Sequence, residues 1–268
     1  MPAARPEKVR EKSRHLSFTF GWVEGFPPDE REVRLTSNRA LPGFDEPPTT
    51  VLSRASSGLK DFEFLRARVE WASQQNVRMG SRDLTEVIVY DFASIFVPAD
   101  DPSLWIIRGK SLTARRLLGQ LSRFRPSEIR VLRCAYSLDQ IREQAGSYLR
   151  GLWMRVTGDT HISSAAMFGS EVDQSPVTQI FLEREDVEVS TIYLDPQAFE
   201  EDAEEWKDEI LRFGRRVIVS RRGTIGLRIS EHLTDERALS LALSLHRHFE
   251  QIGAVRREEE KEASEAGG

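Results

Sequence analysis

Between Trp105 and Arg133 the chain carries eight basic residues, Arg108, Lys110, Arg115, Arg116, Arg123, Arg125, Arg130 and Arg133, and one acid, Glu128. That run holds +7 in a chain whose formal net charge is −5. A second run, Leu211 to Ser230, carries Arg212, Arg215, Arg216, Arg221, Arg222 and Arg228 and no acid. Between the two, from Glu183 to Glu209, twelve acids accompany two bases. A guanidinium forks onto two oxygens, so these spacings point to phosphate contact. Such segregated charge bears on partners and not on fold.

The expected phosphate contacts are Arg108, Lys110, Arg115, Arg116, Arg123 and Arg125, with Arg221 and Arg222 helping. Rotation by about 100° per residue along a helix from Ser111 sets Ala114, Leu117, Leu118, Leu121 and Phe124 on one face. Arg115, Arg116 and Arg123 fall on the other. Backbone amides at that helix start favour an anion beside Arg108 and Lys110. Six to eight coplanar cations would give strongly salt-dependent nucleic-acid binding. The competing reading pairs these cations with the acidic segment, in this chain or in another copy. Whether the two basic runs share a face is a question of tertiary structure.

Residues able to catalyse are sparse. Thr157 to Ser175 is densest in reactive types, with Asp159, His161, Ser163, Ser164, Glu171, Asp173 and Ser175. A Ser–His–acid triad needs the base within hydrogen-bond reach of the nucleophile, and no G-x-S-x-G elbow is present. Ser163 and Ser164 read instead as a helix cap. His246 and His248 stand about 200° apart on a helix and cannot share a metal. Asp91, Asp100, Asp101 and Lys110 are the only carboxylate-plus-lysine set in a strand-rich region, and they lack the acid-x-Lys spacing of metal-dependent nucleases. There is no Walker A loop and no G-x-G-x-x-G. No cofactor or metal is implied, and the chain reads as a binder and not as an enzyme.

These side chains must be positioned by a mixed set of elements. Leu16, Phe18, Phe20 and Trp22 alternate with polar or small residues, the pattern of a strand with one buried face. Glu24 to Thr50 holds five of the twelve prolines and reads as a linker or arm. Ser56 and Ser57 are positioned to cap a helix over 58–76, with Leu59, Phe62, Leu65, Val69 and Ala72 at helical spacing. Strands are expected at 86–97, 104–108 and 129–134, and helices at 111–124 and from Ser137 to about residue 149. Further on, strands are expected at 152–156, 177–183, 187–194, 216–220 and 224–229. Arg221-Arg222-Gly223 forms the turn between the last two. An acidic helix is expected near 197–213, and a final helix over 235–252 capped by Thr234.

The fold class is therefore α+β: a mixed β/α N-terminal part, then a mainly antiparallel sheet with a C-terminal helix. Residues 1–50 form a strand and proline-rich arm, 51–150 a β/α subdomain with the basic helix, 151–254 an antiparallel subdomain, and 255–268 a solvated charged tail. One cysteine, Cys134, excludes an internal disulfide, no apolar stretch reaches membrane-spanning length, and the N-terminus has no apolar leader. The cytoplasm is the expected compartment. The expected function is a non-catalytic nucleic-acid-binding or accessory subunit. The alternatives are an assembly subunit, with a protein partner or a homo-oligomer, and a hydrolase or nuclease.

Overall fold

The computed structural model describes residues 13–27, 30–37, 44, 46–56, 58–79, 82–124, 128–158, 161–195, 217–230 and 234–259. The alternating apolar residues at the start lie on strand β1 (Ser13–Glu24). Phe18, Phe20 and Trp22 are buried on one side, and Thr19 and Val23 are buried on the other. The single buried face expected from the alternation is thus a misreading: helices cover both sides of this strand.

The elements after β1 are β2 (Glu32–Thr36), β3 (Thr49–Ala55), β4 (Phe62–Met79), β5 (Arg82–Pro98), β6 (Leu104–Arg108), α1 (Ser111–Phe124) and β7 (Arg130–Tyr136). Then come α2 (Leu138–Ala145), β8 (Leu149–Val156), β9 (Ser164–Phe168), α3 (Pro176–Leu182), β10 (Val187–Leu194), β11 (Val217–Ser220), β12 (Thr224–Ser230), α4 (Asp235–Gln251) and β13 (Val255–Glu259). The strands form one sheet in the order β2-β3-β4-β5-β6-β1-β12-β11-β10-β8-β9, with β7 on β1 and β13 on β7. All of these pairings are antiparallel, including those within the N-terminal half. The protein is α+β, mostly antiparallel sheet with a C-terminal helix. Among the described residues, no helix is long and apolar enough to cross a membrane.

One edge of β1 is divided between two partners. Residues 13–19 pair with β12, and residues 21–24 pair with β7. Opposite, residues 18–22 pair with β6. Phe18, Phe20 and Trp22 enter a core shared with α2 and α4. Val23 enters a second core with Ala114, Leu117, Leu118 and Leu121 of α1. Of the apolar stripe read from α1, Ala114, Leu117, Leu118 and Leu121 pack in this core.

Several expectations are corrected. The segment read as a helix over 58–76 is β4, which pairs with β5 from Phe62↔Pro98 to Met79↔Arg82. Leu65, Val69 and Ala72 fit a helical spacing, but Leu65, Ala67, Val69 and Trp71 fit a period of two equally well. The long β5 partner decides between them. The segment read as a strand over 177–183 is α3, with Pro176 in its first turn, where proline is favoured. Ser163 and Ser164 do not cap a helix: they lead into β9, which lies on β8. Val255–Glu259, read as tail, pairs with β7. Inside the proline-rich stretch, β2 buries Val33 and Leu35. The acidic helix expected near 197–213 lies outside the described residues, as do Arg125, Asp159, Arg212, Arg215 and Arg216.

Candidate nucleic-acid interface

The β11–β12 turn is inserted where β1 changes partner. Gly223 has φ +72, a conformation that suits glycine, and an added Cβ there would lie 2.4 Å from the Cys134 carbonyl oxygen. The turn is held by two amides. Phe20 donates to the Gly223 carbonyl at 2.9 Å, and Tyr136 donates to the Arg221 carbonyl at 2.9 Å. Thr224 Oγ1 lies 3.0 Å from Thr19 Oγ1 and 3.2 Å from Ser111 Oγ, so hydroxyls tie the turn and β1 to the start of α1. A turn that begins 110 residues downstream of Ser111 and 111 downstream of Lys110 is thereby fixed beside the basic helix.

Two adjoining cavities result. The first, about 610 Å³, is lined by Arg115 of α1, Arg133 of β7, Arg221 and Arg222 of the turn, Glu188 of β10 and Glu258 of β13. Its floor includes Thr19, Phe20 and Cys134, all in the core. The second, about 350 Å³, is lined by Trp71, Leu112, Arg116 and Arg123, and it shares Arg115 and Arg133 with the first. Gly119 leaves room on the face of α1 that borders this groove.

Several of the cations are held in place. Arg115 Nε donates to the Ser111 carbonyl at 3.3 Å. Arg221 Nε donates to the Val189 carbonyl at 3.1 Å, and its guanidinium pairs with Glu188. Arg116 lies over the Trp71 ring, 4.0 Å from its centroid, an interaction of cation and π-face. Gln120 anchors the helix by donating to the Glu70 carbonyl and accepting from Thr50 Oγ1. Burial pulls the Arg115 pKa down, and the positive charges of Arg222, Arg133 and Arg116 pull the same way. Among the described residues no carboxylate ion-pairs with Arg115, Arg116, Arg123 or Arg222. The site is a cluster of positive charge in a concave setting, offset only in part by Glu188 and Glu258.

Not every expected contact is brought there. Arg108 points to the opposite face of the sheet, where it pairs with Asp235 of α4 and covers the Phe96 ring. Lys110 lies 3.1 Å from Asp91, which also accepts from Thr113 Oγ1 at 2.9 Å. Burial raises the Asp91 pKa, but the bonds from Lys110, Thr113 and the Phe92 amide outweigh it and leave the carboxyl lowered. Both cations beside the helix start therefore have an anion already. Trp71, Arg133, Glu188 and Glu258 line the cavities and are absent from the expected contacts. Arg133 was legible as the last cation of the +7 run. Trp71 was assigned to a helix, and the two glutamates carry no local signal.

The remaining chemical candidates do not gather. His161, Ser163, Ser164 and Glu171 are exposed around the edge strand β9 and the turn after it. Asp100 pairs with Arg247, and Asp101 accepts from Ser103. No group of three His, Cys, Asp or Glu among the described residues is placed to hold a metal ion. His246 is buried, stacked on Phe20 at 4.3 Å, with Nδ1 2.8 Å from the Tyr136 hydroxyl. A larger cavity, about 690 Å³, lies between α4 and the β5–β6 turn, but its one arginine, Arg247, is spent on Asp100. Trp105, at the start of the +7 run, is buried against Phe26 and offers no face to a base. Comparison of the sequence with protein-family models and with curated proteins found no match.

Proposed function

We propose that this protein is a non-catalytic nucleic-acid-binding or accessory subunit, and that it contacts phosphates through the cleft formed by α1 and the β11–β12 turn. The observation that carries this reading is the convergence of two basic runs, far apart in sequence, on adjoining cavities that share Arg115 and Arg133. Arg115, Arg116, Arg123, Arg133, Arg221 and Arg222 are the contacts on this reading. Arg108 and Lys110 play a structural part by pairing with Asp235 and Asp91. Phosphate contacts supply affinity and register, and Trp71 offers a π-face for a base.

Fluorescence anisotropy with labelled DNA and RNA, from about 50 to about 300 mM salt, tests this. Three to four single-strand phosphates neutralised give a log–log salt slope of about −2 to −3. Arg115→Ala with Arg116→Ala is expected to weaken binding by about tenfold or more, since hydrogen bonds to charged groups contribute about 1.5–3 kcal/mol each. Binding indifferent to salt and to this double variant would sink the reading.

A second reading, an assembly subunit, draws on a different observation. Trp153, Phe168, Val177 and Ile180 are exposed on β8, β9 and α3, and acidic Glu188 already pairs with Arg221. Mass measurement over a concentration series separates the two, because assembly through this apolar patch requires a mass that grows with concentration and does not fall with added salt. Either role fits a cytoplasmic protein.

A further inference from the structure

The shape of the first cavity narrows the ligand. Its floor reaches Thr19 and Phe20 of β1 and Cys134 of β7, so it is sunk into the sheet. Its volume is about 610 Å³. A duplex, whose major groove alone is about 12 Å wide, cannot enter it. One nucleotide end can, since ordinary small-ligand sites span roughly 300–1,000 Å³. The charge is also specific. Arg221 is paired with Glu188, whereas Arg115 and Arg222 have no carboxylate ion-paired with them among the described residues, so two guanidinium charges face the cavity for an anion. A phosphomonoester near neutral pH carries about −1.5 to −2, whereas a phosphodiester linkage carries −1. Arg115 and Arg221 are fixed by backbone carbonyls, so little freedom is lost when they bind an anion. The second cavity adds Arg116 and Arg123, no carboxylate, and the Trp71 and Leu112 walls.

We propose that the first cavity is a pocket for the terminal phosphate of a single-stranded nucleic acid, whose next linkages run past Arg115 and Arg133 into the groove beside Trp71. This rests on the nucleic-acid reading above and specifies its substrate as a phosphorylated single-strand end. Arg222 grips the terminal phosphate. Arg116 and Arg123 grip the following linkages. Glu258 excludes a more highly charged end by repulsion.

The test is a set of short labelled oligonucleotides of one sequence: single strands with a 5′-phosphate, with a 3′-phosphate and with hydroxyl ends, and a blunt duplex. Affinity is measured for the full chain, for Arg222→Ala and for Arg116→Ala. Arg222 is exposed at a turn, and an unchanged melting temperature confirms that its variant folds. One phosphorylated single strand is expected to bind at least tenfold more tightly than the hydroxyl-ended strand. Arg222→Ala should erase that advantage, and Arg116→Ala should weaken both strands by a similar factor. If the single strands bind equally and Arg116→Ala weakens them all, the terminal pocket is overturned and the nucleic-acid reading stands. Equal binding of duplex and single strand overturns it as well. If a 5′-mononucleotide competes as well as the phosphorylated strand, the pocket serves free nucleotides and the single-strand assignment is overturned. If no oligonucleotide binds at low salt, the nucleic-acid reading itself falls.

Discussion

At the scale of single residues, two positions carry the clearest consequences. Gly223 combines positive φ with an approach to the Cys134 carbonyl that leaves no space for a Cβ. Gly223→Ala must shift the turn that presents Arg221 and Arg222. A cost of about 1–3 kcal/mol is expected, together with weaker nucleic-acid binding. Urea denaturation and anisotropy on the same variant check both, and an unchanged midpoint would show that the turn relaxes freely. His246 is the second position. Burial, then the nearby Arg257, lowers its pKa from 6.5 to about 3, with Asp101 opposing and Arg247 adding. Its Nε2 lies 3.7 Å from Glu250 Oε1, too far for a hydrogen bond. The folded state refuses a proton that the unfolded state accepts below about pH 6.5. Stability is therefore full at neutral pH and falls as the pH drops towards 3, by at most about 1.4 kcal/mol per pH unit. His15, depressed by burial and by Arg228, acts in the same direction. The slope of unfolding free energy between about pH 6 and about pH 5 should be shallower in His246→Gln and shallower still with His15→Gln added. An unchanged slope in both would place the acid sensitivity elsewhere.

At the scale of elements, β13 matters more than its sequence suggests. VRREE reads as a solvated charge run, and four of its five side chains are indeed exposed. Its backbone nevertheless pairs with β7 from Val255↔Tyr136 to Glu259↔Leu132. Arg257 covers the Trp22 ring at 4.3 Å, and Glu259 pairs with Arg130 at 2.7 Å. A chain ending at Ala254 is expected to melt several degrees lower and to show red-shifted tryptophan fluorescence, because Trp22 loses its cover. The same truncation removes Glu258 from the rim of the first cavity, so affinity for an oligonucleotide should rise at low salt. Melting and binding that both match the full chain would show that the strand contributes nothing.

At the scale of the whole molecule, β1 joins the two halves. Its first seven residues pair with β12, and its last four pair with β7. Phe18, Phe20 and Trp22 pack in a core that runs on to Phe249 and Ala254. A fragment of residues 1–150 would expose one face of this strand and leave its N-terminal half without β12. It is expected to lack a cooperative thermal transition and to bind ANS, as a collapsed chain without fixed packing does. A sharp two-state transition in the fragment would show that the N-terminal half carries a sufficient core of its own. The cleft has the same dependence, since α1 and β7 come from one half and the β11–β12 turn from the other.

Local signals in the sequence determined the elements whose pattern admits one period and whose ends are marked. α1 follows from Ser111 and the Ala114, Leu117, Leu118, Leu121 stripe. α4 follows from Thr234, whose side chain accepts from the Arg237 amide at 3.3 Å. The β11–β12 turn follows from Gly223. The strand that became β4 was not legible, because its apolar residues satisfy two periods and only pairing with β5 separates them. α3 was misread because its apolar residues suggest a strand while Pro176 marks a helix start. Of the candidate site, the sequence determined the charge: which segments are basic, and that arginine supplies it. Only the tertiary structure decided which of those cations meet. A sheet register sends alternate side chains to opposite faces, and this takes Arg108 of β6 to Asp235 while Arg133 of β7 stays with the turn, beside Arg115 of α1. Contacts across more than a hundred residues depend on how strands pair, and no local pattern encodes that.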